Sequence, residues 1–144
     1  RREHFIYLTA CKNQMKQILC FILTVSQLAS LYAEFQNVTV SGTIICDNQK
    51  TSNVLVELWE HDTIDPDDIL DSMRTNETGR FKLTGGDDEK FTIKPYIRII
   101  HQCQTSEECF RLSIYDVPET SIGGAYVMND VNLNIIMHNE EVRC

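Results

Sequence analysis

From residue 38 the chain alternates. Val38-Thr39-Val40-Ser41-Gly42-Thr43-Ile44-Ile45-Cys46 places apolar side chains at every second position over most of its length, which predicts a strand. A polar connection follows over 47–53. Val54, Val56 and Leu58 then face one way and Leu55, Glu57 and Trp59 the other, a second strand. The acidic stretch from His61 to Asp71 reads as a loop, with a short strand from Ile69 to Arg74. Asn76-Glu77-Thr78-Gly79 is a turn in which Gly79 can take positive φ. Arg80 to Leu83 is a strand that Gly85-Gly86-Asp87-Asp88 should end. The longest β pattern runs from Phe91 to His101. Its Pro95 donates no ladder hydrogen bond, so it belongs at an edge, a bulge or a strand's start. Cys109 to Val117 alternates with Phe110, Leu112 and Ile114 on one face, and Pro118 ends it. A last pattern sets Val131, Leu133, Ile135 and Met137 opposite Asn132 and Asn134. No segment after residue 33 sustains a helical period; at most one short helix fits, around Gln104 to Glu108. About seven short strands separated by turn signals predict an all-β, two-sheet antiparallel β-sandwich.

The first 33 residues follow another rule. Met15-Lys16-Gln17 opens an apolar run from Ile18 to Val25 that fades through Ser26, Gln27 and Ser30 and closes at Leu31-Tyr32-Ala33. A basic start, a short apolar stretch and a small closing residue describe a signal peptide over 15–33, cut after Ala33 or, because Leu31 is large for its position, near Ala29 or Ser30. The run is shorter and more polar than a spanning helix, which needs about 20 apolar residues. Residues 1–14 precede Met15 and are expected to be a gene-model extension. The domain is therefore expected at 34–144, released from the cell rather than integral to a membrane.

Charge sharpens this. The whole chain carries −8, and residues 34–144 keep 9 of the 13 basic and 20 of the 21 acidic side chains, a net charge of −11. Such a surface repels nucleic acid and anionic membranes. Of six cysteines, Cys11 and Cys20 lie in or before the segment to be removed. Cys46, Cys103, Cys109 and Cys144 remain, an even set that secretion favours as disulfides over metal ligands. Two sequons, Asn37-Val38-Thr39 and Asn76-Glu77-Thr78, are glycosylation candidates, Asn76 the better because it sits in a turn.

Several pieces together resemble the transthyretin-like family of secreted nematode proteins. They are Val40 to Cys46, Asn53 to Glu60 followed by Asp65-Pro66-Asp67-Asp68-Ile69-Leu70, and Thr75 to Gly85. His101-Gln102-Cys103, Val117-Pro118 and Asn132-Leu133 before Cys144 complete the set. The resemblance covers nearly all of 38–144. It implies a transthyretin-type β-sandwich and export, and it names no ligand. Four cysteines allow three pairings. If the final strand runs parallel to the first, as one pair does in transthyretin, the ends carrying Cys46 and Cys144 meet. The expected bridges are then Cys46–Cys144 and Cys103–Cys109.

Enzymes that hydrolyse 5-hydroxyisourate share this sandwich and use two histidines, an arginine and a C-terminal Tyr-Arg-Gly-Ser. Here Glu140-Glu141-Val142-Arg143-Cys144 stands instead, and His61, His101 and His138 lie outside the context those enzymes use. No acid, base and electrophile assemble, so no catalytic residue is expected. Asp62, Asp65, Asp67, Asp68 and Asp71 lack the glycine and glutamate of a calcium loop and read as solvated. No metal and no cofactor is expected. Trp59 and Tyr96 are expected in the core, with ligand contact as the lesser reading. The expected function is a secreted extracellular binding module for a lipid, a small apolar ligand or a cell-surface protein. A hydrolase on the same fold and a ligand-free structural protein are the alternatives. Exposed strand edges make homo-oligomers an expected form.

Overall fold

The computed structural model describes residues 35–62, 66–88 and 92–144, together with residues 18, 21 and 22. The chain divides into two units, Arg1–Glu34 and Phe35–Cys144. In the first, Ile18, Phe21 and Ile22 are helical and exposed. The rest of the expected signal peptide, the extension at 1–14 and the cut after Ala33 lie outside the described residues.

The second unit is a β-sandwich. Sheet one holds β1 (Gln36–Cys46), β2 (Gln49–Lys50), β5 (Arg80–Asp87) and β8 (Ala125–Asn132). Sheet two runs β4 (Asp68–Arg74), β3 (Leu55–Glu60), β6 (Pro95–His101), β7 (Phe110–Asp116), β9 (Glu141–Arg143). Every pairing is antiparallel except β1 with β8, which is parallel. The alternation of β1 and β3 sets the inner faces: Val38, Val40 and Ile44 from sheet one meet Val56, Leu58, Ile97 and Ile99 from sheet two. Phe81, Leu83, Val131 and Leu133 complete the buried core. Asp47 and Asn48 take φ of 50° and 61°, the positive values that a two-residue turn into β2 requires.

Several expectations change, the strand expected from Phe91 among them: β6 begins at Pro95. Gly85 and Gly86 do not end β5; they continue it to Asp87, because no side chain fits there. A Cβ on Gly86 would stand 2.0 Å from the Gln36 carbonyl oxygen, and one on Gly85 would stand 2.5 Å from the Leu70 Cβ. Leu70 reaches Gly85 because an extra residue in β4, between the pairs Leu58–Asp71 and Trp59–Ile69, bulges it toward the core.

The last pattern is shifted. The strand is Ala125–Asn132, not 131–137, and Ile135 and Ile136 are exposed. Asn129, at φ 54°, supplies an extra residue in β8 where the register against β1 slips between Ser41 and Thr43. Residues 104–108 form turns rather than a helix. Gln102 Nε2 donates to the Glu107 carbonyl, and the Thr105 hydroxyl is within bonding distance of the Cys109 carbonyl.

The bridges are Cys46–Cys103 and Cys109–Cys144, not Cys46–Cys144 and Cys103–Cys109. A strand does run parallel to β1, but it is β8, whose Asn132 stands beside Ile45. The chain then crosses to sheet two, where Phe110 pairs with Arg143 and so sets Cys109 against Cys144. Cys103, just beyond β6, is left facing Cys46 at the end of β1. One bridge joins the sheets; the other fastens β9 to β7.

Candidate functional site

The two outer faces differ in chemistry. On sheet one the outward positions of β1 and β5 pair as Thr39 with Thr84, Ser41 with Lys82 and Thr43 with Arg80. On sheet two the outward rows are Trp59–Tyr96–Asp116, Glu57–Arg98–Ile114 and Leu55–Ile100–Leu112. Trp59 and Tyr96 are therefore not core residues. They are half-buried on a solvent-facing sheet, because Val56, Leu58, Ile97 and Ile99 take the inward positions of the same strands.

These side chains interlock. The Trp59 and Tyr96 rings stack with centroids 6.4 Å apart and planes 17° from parallel. The Arg98 guanidinium lies 4.8 Å from the centroid of the Trp59 ring, a cation–π contact. Glu57 holds both: its Oε2 accepts from Trp59 Nε1 at 2.9 Å and pairs with Arg98 Nε at 3.1 Å. Tyr96 donates its hydroxyl hydrogen to Asp67 at 2.9 Å, and Asp67 also pairs with His61 at 3.0 Å. Burial, then the Asp67 hydrogen bond and charge, push the Tyr96 hydroxyl above its ordinary pKa. Burial raises the Asp67 carboxyl, but hydrogen bonds from His61 and Tyr96 outweigh it and hold the group below its usual value.

Beside this array is an open cleft of about 460 Å³ lined by His61, Asp67, Lys94, Tyr96, Asp116 and Glu119 among others. Three carboxylates face one lysine and one histidine, so the rim is acidic. The face offers aromatic area, a fixed guanidinium and an acidic border, held rigid by its own hydrogen bonds. The sequence pointed to Trp59 and Tyr96 but not to Glu57 or Arg98. Their signal is a period of two with substantial side chains on both faces of β3 and β6.

The other expected site residues lie elsewhere. Asp71 accepts from the Ser72 and Thr84 amides, and Asp68 lies in β4. Asp65 is outside the described residues, among which no group of three or more His, Cys, Asp or Glu could hold a metal ion. His138 is exposed in the turn before β9. His101 is buried in a polar cluster that the sequence did not reveal. Arg111 pairs with Glu140 and donates to the Cys103 and Leu133 carbonyls at 3.0 Å. Ser113, fully buried, donates to Glu140 at 2.8 Å and meets His101 Nε2 at 3.0 Å.

That cluster contains a serine, a histidine and a glutamate, but it is wired against catalysis. The Cys103 amide donates to His101 Nδ1, so in the neutral ring Nε2 carries the proton and donates to Ser113. The serine proton goes to Glu140, and the histidine cannot act as its base. Burial first, then the charge of Arg111, lower the His101 pKa to about 4. Burial raises the Glu140 carboxyl, but hydrogen bonds from Arg111, Ser113 and the Met137 amide outweigh it.

Residues 41–118 match the model of the transthyretin-like family. Transthyretin-like protein 16 of Caenorhabditis elegans is 42% identical over 128 residues, covering 88% of this chain and 96% of the relative. Transthyretin-like protein 5 of the same organism is 34% identical over 125 residues, covering 85% and 89%.

Proposed function

Because the chain belongs to the transthyretin-like family, we propose that it is a secreted binding module that docks a cell-surface or extracellular protein through the outer face of sheet two. The observation that carries this reading is the Trp59–Tyr96 stack, clamped by Arg98 and Glu57 on a solvent-facing sheet. Trp, Tyr and Arg are the residues that dominate protein-interface energetics, and here they stand pre-ordered, so little side-chain entropy is left to lose on binding. A small apolar ligand prefers an enclosing cavity; this face is a sheet bordered by an open cleft in which Pro95, Ile114 and Val117 lie beside the charged groups. A net charge of −11 over 34–144 disfavours anionic lipid and favours a partner with basic groups around an apolar centre. Two disulfides accord with an oxidising, extracellular location, and with a signal peptide at 15–33 and a domain at 34–144. The buried His101–Ser113–Glu140 cluster supports a binding rather than an enzymatic role, because its serine is inaccessible and its hydrogen bonds run the wrong way.

The test is binding of fluorescently labelled secreted protein to dissociated nematode cells, with phosphatidylcholine vesicles as a lipid control. We expect binding that Trp59→Ala and Tyr96→Ala weaken at least tenfold, that Lys82→Ala on the opposite face leaves unchanged, and that protease shaving of the cells abolishes. Binding that survives shaving and is matched by the vesicles would replace the protein partner with a lipid.

A further inference from the structure

Both sequons fall on the same side of the sandwich. Asn37 alternates with Val38 in β1 and is exposed on the outer face of sheet one. Asn76, also exposed, sits in the turn from β4 to β5. There it borders a hollow of about 610 Å³ whose lining includes Ser41, Thr43, Arg80, Lys82, Val127 and Asp130. The Trp59–Tyr96 array is on the opposite sheet.

The turn fixes the Asn76 side chain by one atom. Its Oδ1 accepts from the Thr78 amide at 3.0 Å, the Thr78 hydroxyl at 2.8 Å and the Arg80 amide at 2.9 Å. Gly79, at φ 71°, donates its amide to the Asn76 carbonyl and closes the turn. Among the described residues, no acceptor engages Nδ2. A carboxamide substituted on nitrogen keeps its oxygen as an acceptor, so all three hydrogen bonds survive a sugar on Nδ2.

We propose that Asn76 is N-glycosylated and that the first sugars lie over the hollow of sheet one, leaving the aromatic face of sheet two bare. This rests on the secreted reading above. The donor is a lipid-pyrophosphate-linked oligosaccharide. The Asn76 Nδ2–C1 bond forms as the C1–O bond to pyrophosphate breaks; the lipid pyrophosphate leaves with the electron pair, and Nδ2 loses one proton to a base. The hydroxyls of Ser41 and Thr43 and the charges of Arg80, Lys82 and Asp130 suit a carbohydrate's hydrogen-bonding surface, and the opposite aromatic face keeps its approach open.

The experiment expresses the full chain in a eukaryotic secretory host, collects the medium and maps peptides after an amidase that converts each glycan-bearing Asn to Asp. The expected result is conversion at Asn76, lost in Thr78→Ala and kept in Thr78→Ser. Acrylamide quenching of Trp59, the single Trp of the chain, should be unchanged by deglycosylation. Secreted protein whose Asn76 is unconverted overturns the proposal while the secreted reading stands. Protein retained in the cells overturns the secreted reading itself and the proposal with it. A change in Trp59 quenching on deglycosylation overturns the placement of the sugar on the far face.

Discussion

The Arg111 guanidinium and the Glu140 carboxylate grip one another between the two sheets, with side chains only 5% and 2% exposed. Glu140 belongs to the irregular stretch between β8 and β9, so this buried pair holds the last segment against sheet two. Removing one partner leaves the other charged and dry. Glu140→Ala should cost about 3–5 kcal/mol in denaturant unfolding, whereas the paired replacement Arg111→Met with Glu140→Leu should cost much less. Equal losses in the two variants would mean that the contact is packing rather than charge.

His101 should make stability depend on pH. Its folded pKa, about 4, lies below the unfolded value of 6.5, so the unfolded chain binds the extra proton first as pH falls. The contribution is complete above 6.5 and is lost progressively between 6.5 and about 4, by up to about 3 kcal/mol. Glu140, held low, adds a further loss below the ordinary carboxylate range. Thermal melting from pH 7.5 to 4 should show the decline, and His101→Gln should flatten the part above about pH 5.

Non-reducing peptide mapping should recover Cys46 with Cys103 and Cys109 with Cys144. The bridges span 57 and 35 residues. On the loop-closure account each is worth roughly 4 kcal/mol. Cys46→Ser with Cys103→Ser should lower the melting temperature sharply. Cys109→Ser with Cys144→Ser should lower it comparably and, in addition, raise hydrogen exchange in β9 and at the start of β7.

Two glycines should respond in opposite ways. Gly86→Ala forces β1 and β5 apart and should cost at least about 2 kcal/mol. Gly124→Ala meets only an ordinary contact, 3.6 Å from the Ser121 carbonyl oxygen, and should be neutral or stabilising by about 0.5 kcal/mol.

Local alternation made β1 readable from sequence, with its apolar face, and made the existence of β3 and β6 readable, though not which of their faces is inward. It failed where long-range pairing decides. Trp59 and Tyr96 lie on strands with bulky side chains on both sides, and only the register between strands says which side meets the other sheet. In β8 the inward residues run Tyr126, Met128, then Val131, with Leu133 just beyond the strand; the extra Asn129 flips the phase, so the alternation legible in the sequence begins at 131. The cysteine partners depend on the crossover of 133–140 to sheet two, which no local spacing encodes. Arg111 and Ser113 escaped notice because polar residues in a strand ordinarily face water, and these face inward; Glu140 lies in an irregular stretch where no periodicity marks a buried position.

The two bridges also shorten the chain as a mechanical object. Between residues 35 and 144 the covalent path runs along β1 to Cys46, jumps to Cys103, passes to Cys109 and jumps again to Cys144. About 20 residues can be drawn out, roughly 70 Å of extension, where an unbridged chain would yield nearly 400 Å. Most of β3 to β8, with the aromatic array on sheet two, stands off the line of tension. Pulled between residues 35 and 144, the domain behaves as a short tether in which β1 bears the load and β3 and β6 do not.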